Sequence, residues 1–169
     1  VTTGKRTIDY TNVDGNASVG IGGFLTQTLP GKKFSIRVAS FNDLARSNTY
    51  INGDKNRSLS LRLREELGLN YRVTGIDMTL KGGFGYYNAS NTLASAVTPP
   101  TKDYSLGYTT NITLPLGFAF EGEATYTTSR GYAAGYNQDQ VLLNAGLSYS
   151  FLAGKKATIR LKGYDLLNS

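Results

Sequence analysis

The chain has 169 residues, a net charge of +6, 20 glycines and 12 tyrosines, and it contains no histidine, cysteine or tryptophan. Without cysteine there are no disulfides or thiolate metal sites, and without histidine the commonest general base and transition-metal ligand is gone. The length suits one ordinary domain, and richness in glycine and tyrosine favours strands and turns over a helical bundle.

The opening VTTGKRTIDY has no apolar h-region, and no run of about 18 apolar residues occurs anywhere. A transmembrane helix is thereby excluded, but not a barrel of strands. In chain order, GKRTIDYTNV reads as a weak first strand. SVGIGGFLTQTL and FSIRVASF follow, carrying Val19, Ile21, Leu25 and Leu29, then Phe34, Ile36 and Val38. RSLSLRLREELGLNYRV sets Leu59, Leu61, Leu63, Leu67, Leu69, Tyr71 and Val73 against Arg62, Arg64, Glu66, Asn70 and Arg72. IDMTLKGGFGYY sets Ile76, Met78, Leu80, Phe84 and Tyr86 against Asp77, Thr79 and Lys81.

The second half repeats the period of two. Tyr104, Leu106, Tyr108, Ile112 and Leu114 share one face, with Ser105, Gly107, Thr109, Asn111 and Thr113 on the other. Phe118, Phe120, Gly122, Ala124 and Tyr126 alternate with Ala119, Glu121, Glu123, Thr125 and Thr127. Val141, Leu143, Ala145, Leu147, Tyr149 and Phe151 form an apolar face, and Ala157, Ile159 and Leu161 alternate with Thr158, Arg160 and Lys162. Strict alternation means strands with one apolar and one polar face. The count is about nine, most of them longer than the usual 5–6 residues.

Connections sharpen the class. Tight turns are expected at Pro30-Gly31-Lys32-Lys33, Thr74-Gly75, Leu116-Gly117-Phe118 and Gly154-Lys155-Lys156, and long polar loops at residues 42–57, 88–103 and 129–140. Short and long connections alternate, which predicts an antiparallel up-and-down transmembrane β-barrel in the outer membrane, its long loops together at the cell exterior. A turn at Thr74-Gly75 pairs Val73 with Ile76, Tyr71 with Met78, Leu69 with Leu80 and Arg72 with Asp77. A turn centred on Gly117 pairs Ile112 with Gly122 and Tyr108 with Tyr126; one around Gly154 pairs Tyr149 with Ile159 and Leu147 with Leu161. Glu65 resists, because alternation puts it on the apolar face. Either the strand bulges at Glu65-Glu66 or Glu65 sits above the lipid band.

On this reading Arg62, Arg64, Glu66, Lys81, Glu121, Glu123, Arg160 and Lys162 face the lumen, pairing among themselves or setting the charge preference of a solute, while Leu106, Ile112, Leu143, Leu147 and Ile159 face outer-membrane lipid. Glu121 and Glu123 lie two apart on one strand, about 6–7 Å from each other, a separation some glycosidases use; no pocket for a sugar accompanies them, so no enzyme activity is expected. The glycines of GIGGF and KGGFGYY open no helix after a strand and so cradle no phosphate; no cofactor or metal is expected. Tyr71 and Tyr149 near turns, and Tyr50, Tyr86, Tyr87, Tyr104 and Tyr132 near loops, suit interfacial aromatic girdles better than platforms for nucleic acid. Lys32, Lys33, Lys155 and Lys156 in tight turns suit anionic headgroups.

The last stretch, GYNQDQVLLNAGLSYSFLAGKKATIRLKGYDLLNS, resembles the C-terminal region of a Bacteroidetes outer-membrane β-barrel family described as TonB-dependent receptor-like. The likeness rests on the VLLNAGLSYSF strand, the Gly-Lys-Lys turn and the cluster Tyr164, Asp165, Leu166, Leu167 and Asn168, and extends in style over residues 41–168. It implies a larger barrel with an upstream plug that contacts TonB, and energised uptake of a bulky solute. Residues 1–169 are then expected to be one segment of that barrel, paired at both edges with further strands of the same or a partner chain. Alternatives are a barrel subunit with a structural or assembly role in a larger envelope complex, or a soluble β-rich binding module. The side chains of Asp165 and Asn168 are expected to make local turn or cap bonds.

Overall fold

A computed structural model describes residues 12–94, 99–133, 135–152, 154 and 156–168. Among them run β1 (Ala17–Thr28), β2 (Phe34–Ile51), β3 (Asp54–Val73), β4 (Ile76–Asn91), β5 (Thr101–Thr113), β6 (Phe118–Arg130), β7 (Gln138–Phe151) and β8 (Ala157–Gly163). Each strand pairs antiparallel with the next, giving one eight-stranded sheet in sequence order. Among the described residues there are eight strands, against about nine expected over the whole chain. Most of the weak first candidate lies outside the described residues, and Asn12 and Val13 are not in a strand.

The sheet is a single layer with no core of its own. Among the described residues the only buried hydrophobic residue is Ala39, while Val19, Ile21, Leu25, Leu106, Leu147, Ile159 and Leu161 stand exposed on one face. Burial against a second layer, which stabilises a soluble sheet, is absent here. The backbone ladder and cross-strand side-chain pairs hold the strands instead. One apolar row runs Ile36, Leu69, Leu80, Tyr108, Ala124, Leu143 across six strands. One polar row runs Arg72, Asp77, Asn111, Glu121, Gly146, Lys162.

The Thr74-Gly75 hairpin has the expected register throughout, and Arg72 Nε donates to Asp77 at 2.6 Å. The β7–β8 register is also as expected, although Lys155 lies outside the described residues. The β5–β6 register is not. Ile112 pairs with Phe120 and Tyr108 with Ala124, two residues from the expected partners. The turn is a 3-10 segment at Pro115–Gly117 in which Leu116, at φ 63°, takes a left-handed conformation ahead of Gly117 at φ 90°. Reading glycine as the turn's centre ignored a leucine in that conformation, and the even shift left the faces intact.

The long loop expected at residues 42–57 does not form. β2 and β3 continue through it to a two-residue turn at Asn52-Gly53, with φ of 54° and 88°. Positive φ at both positions is the mark of a type I′ hairpin turn, for which Asn-Gly is the preferred pair. Asparagines brace this hairpin: Asn56 Nδ2 donates to Asn91 Oδ1 at 3.1 Å, and Asn48 Nδ2 donates to the Asp14 carbonyl at 2.7 Å. The Asn52-Gly53 turn and the longer connections at 92–100 and 131–137 share one end of the sheet, opposite the other turns.

Glu65 makes no bulge. Pairing continues unbroken through Glu65–Phe84 and Glu66–Gly83, so Glu65 stays on the apolar face. There the Ser40 hydroxyl donates to it at 3.0 Å, and the Asn42 amide, with its NH2 turned to the carboxylate, donates at 3.2 Å.

Gly117 in the β5–β6 turn is closed to substitution. Its φ is 90°, and an added Cβ would meet the Ser150 carbonyl oxygen at 2.3 Å. Gly117→Ala is expected to cost about 1–3 kcal/mol in urea unfolding from lipid, whereas Gly82→Ala, where a Cβ meets nothing within 4 Å, costs under about 0.5. Equal costs would place the turn elsewhere.

Candidate functional site: the charged face of the sheet

Alternation delivers Arg62, Arg64, Glu66, Lys81, Glu121, Glu123, Arg160 and Lys162 to one face, and the register decides which of them meet. Lys162 Nζ lies 2.9 Å from Glu121 Oε2, and Arg160 Nη2 lies 3.6 Å from Oε1. Glu121 and Lys162 sit two strands apart, about 10 Å between backbones. They meet because Gly146 stands between them, where a Cβ would lie 3.4 Å from Lys162 Cγ and 3.5 Å from Glu121 Oε2. Glu123 accepts from Asn144 Nδ2 at 3.1 Å, so the two carboxylates are engaged separately rather than as a pair. Glu66 lies 3.8 Å from Arg37, and Arg64 lies 3.7 Å from Asp43. Among the described residues Arg62 and Lys81 have no carboxylate within 4 Å.

Near the end bearing the longer connections, Asp103 accepts from Ser129 Oγ at 2.7 Å and from Tyr132 Oη at 2.9 Å. The Arg62 guanidinium sits over the Tyr87 ring at 5.5 Å. Tyr87 and Tyr132 were expected in a girdle. Alternation carries Tyr87 to the charged face, and the Asp103 carboxylate draws Tyr132 there. Arg37, Asp43 and Asp103 were missed as site residues. The last two fell inside expected loops, and Arg37 gains its meaning only from the β2–β3 register.

The opposite face carries Leu106, Ile112, Leu143, Leu147 and Ile159, of which Leu106, Leu147 and Ile159 are exposed. Aromatic pairs gather toward the turn end: Phe34 with Tyr71 at 4.8 Å and Phe118 with Tyr149 at 4.5 Å between ring centres. Toward the other end this face becomes charged, where Arg130 donates to both carboxylate oxygens of Asp139 at 2.7 Å.

The Tyr164–Asn168 cluster continues the β7 edge with an irregularity. Pairing reaches Ala145–Gly163, and then Leu166 N donates to the Leu143 carbonyl at 2.8 Å, one residue later than regular pairing would place it. The extra residue makes a bulge, with Asp165 at φ 48°. Asn144 pins it: its Oδ1 accepts from Asp165 N at 2.9 Å while its Nδ2 donates to Glu123. Leu166 lies over Gly163, where a Cβ would come within 2.7 Å of Leu166 Cδ2. Backbone groups bond within the cluster as well, with Asn168 N donating to the Asp165 carbonyl at 3.0 Å.

A one-layer antiparallel sheet with an exposed apolar face and an ion-paired polar face is the wall of a membrane β-barrel. The outer membrane protein beta-barrel family model matches residues 3–169; the chain belongs to that family and to the outer membrane. No curated protein matches the sequence. Two solved structures are similar. CdiB from Escherichia coli is 16% identical, with a TM-score of 0.37 over 79% of this chain and 27% of that one. CdiB from Acinetobacter baumannii is 18% identical, with a TM-score of 0.39 over 86% of this chain and 28% of that one. The chain thus spans under a third of the length of either.

Asn144→Leu removes the acceptor of Asp165 N and the donor to Glu123 together. It is expected to destabilise the lipid-refolded protein by about 1–3 kcal/mol and to speed amide exchange at Asp165 and Leu166. Unchanged exchange at both amides would remove Asn144 from that role.

Proposed function

We propose that this chain is a section of the wall of a TonB-dependent-receptor-like barrel of Bacteroidetes type, serving uptake of a bulky solute. The observation that carries the reading is the division of the faces, one ion-paired from Arg37 to Lys162 and the other apolar and exposed. In this reading the apolar face meets lipid and the charged face meets the lumen. On β7 the apolar face runs from Val141 to Phe151, and over those ten steps at about 3.3 Å each and a tilt near 40° it spans about 25 Å, the height of an outer-membrane apolar band. Glu65 falls eight residues above Val73, in the upper third of that band, where Ser40 and Asn42 soften its cost.

Among the described residues β1 and β8 each have one strand neighbour. Bare N–H and C=O groups in hydrocarbon cost several kcal/mol apiece, so further strands of the same or a partner chain cover both edges. A plug fills the lumen and links it to TonB, while the connections at 92–100 and 131–137 face the cell exterior. No role in nucleic-acid binding or catalysis is proposed.

The uptake reading is tested by following depletion of large solutes from the medium of cells that make or lack the whole protein, with and without a protonophore. A solute depleted only when protein and proton-motive force are both present supports energised uptake. Depletion that ignores either one counts against it. The faces are tested separately. Leu147→Arg is expected to cost about 2–4 kcal/mol in lipid-refolding titrations, and Thr109→Arg, opposite Glu123 on the charged face, under about 1. Similar costs would mean the faces are misassigned.

A further inference from the structure

The charged face holds one feature that the barrel wall does not require. Two connections from different hairpins close over its outer corner and form an open groove of about 720 Å³. Pro99 comes from one connection, Gly131 and Tyr132 from the other, and Arg62, Tyr87 and Asp103 form the floor. The connections touch through Gly131, at φ 84°, where a Cβ would lie 2.0 Å from the Pro100 carbonyl oxygen. Tyr132 is held twice. Its backbone N donates to Asn137 Oδ1 at 3.0 Å, and its phenol donates to Asp103. That second bond, together with Ser129, occupies the Asp103 carboxylate.

Arg62 is the contrast. Its guanidinium is set over Tyr87 with no carboxylate within 4 Å among the described residues, although Asp43 stands opposite it in register. The Asp43 carboxylate turns to Arg64 at 3.7 Å, a long pair between half-exposed side chains. The groove thus presents a planar cation with free donors beside two phenol rings, Tyr132 held by Asp103 and Tyr87 under the guanidinium. Guanidinium forks match the paired oxygens of carboxylate and phosphate, and rings supply a flat apolar support for a sugar or aromatic body.

We propose that this groove is a binding site for a ring-borne anion, a carboxylate or phosphate attached to a sugar or aromatic ring, with Arg62 contacting the anion and Tyr87 and Tyr132 the ring. The proposal rests on the reading of the charged face as the lumen and names the class of solute that would be met there.

The test uses the whole protein purified from outer membranes in detergent. Calorimetry and ligand-observed NMR compare glucose 6-phosphate, glucuronate, phenyl phosphate and benzoate with neutral methyl glucoside and benzyl alcohol. The anionic probes are expected to bind more tightly than the neutral ones, and the better of the phosphate and carboxylate pairs identifies the headgroup. Arg62→Gln should weaken anion binding about tenfold or more. Lys81→Gln, which removes another cation without a carboxylate partner but from outside the groove, should leave it unchanged. Heat-modifiable gel mobility confirms that each variant is folded. Equal affinity for anionic and neutral probes, no effect of Arg62→Gln, or an equal effect of Lys81→Gln would overturn the site. Failure of energised uptake with anion binding intact would count against the transport reading and leave the site standing. Uptake that persists while anion binding is absent would do the reverse.

Discussion

Everything in this protein depends on its backbone hydrogen bonds being made within one sheet. A soluble domain spreads its stability over a packed interior, but here Ala39 is the only buried hydrophobic residue among those described. In hydrocarbon no water satisfies a bare N–H or C=O, and an antiparallel meander in sequence order satisfies nearly all of them with the fewest demands on the chain. Length follows from the same constraint. The strands run from seven residues in β8 to 20 in β3, mostly far beyond those of a soluble sheet, because they must reach across a membrane.

Once the ladder is fixed, side chains have only two places to go. One of the two faces collects charge, and charge there must be arranged because much of it lies within reach of its neighbours. The arrangement works through glycine as much as through the charges. Gly146 lets Lys162 reach Glu121 across an intervening strand, and Gly20 leaves room where a Cβ would lie 2.8 Å from Asp43 Oδ1. Each of these ion pairs is partly exposed and weak alone. Together they leave Arg62 at the groove, where its charge is open to a ligand.

Much of this was legible in the sequence because strand alternation is a local property. The faces, the Thr74-Gly75 hairpin and the β7–β8 register needed only a period of two and a turn. What was not legible required knowing which residues accept unusual backbone angles. Leu116 takes a left-handed turn position and shifts β5–β6 by two residues. Asn52-Gly53 was readable as a type I′ signal but was hidden in a polar stretch, whose loss as a loop brought Asp43 onto the charged face. Tyr132 was assigned to a girdle instead, since its position depends on Asp103, 29 residues away. Glu65 followed alternation although its charge argued against it, because unbroken pairing with β2 and β4 outweighs one unfavourable side chain.

The central claim is that position in the ladder, not the polarity of each residue, decides what a side chain faces. β7 tests this directly, because Leu142 is an apolar residue on the charged face, paired with Thr125. Single cysteines at 141, 142, 143, 147, 148 and 149 of the whole protein, spin-labelled in lipid bilayers, report collisions with oxygen dissolved in lipid and with a water-soluble nickel chelate. The account predicts a period of two: oxygen favoured at Val141, Leu143, Leu147 and Tyr149, and the chelate at Leu142 and Ser148. Leu142 grouping with its apolar neighbours, or an accessibility without alternation, would contradict it.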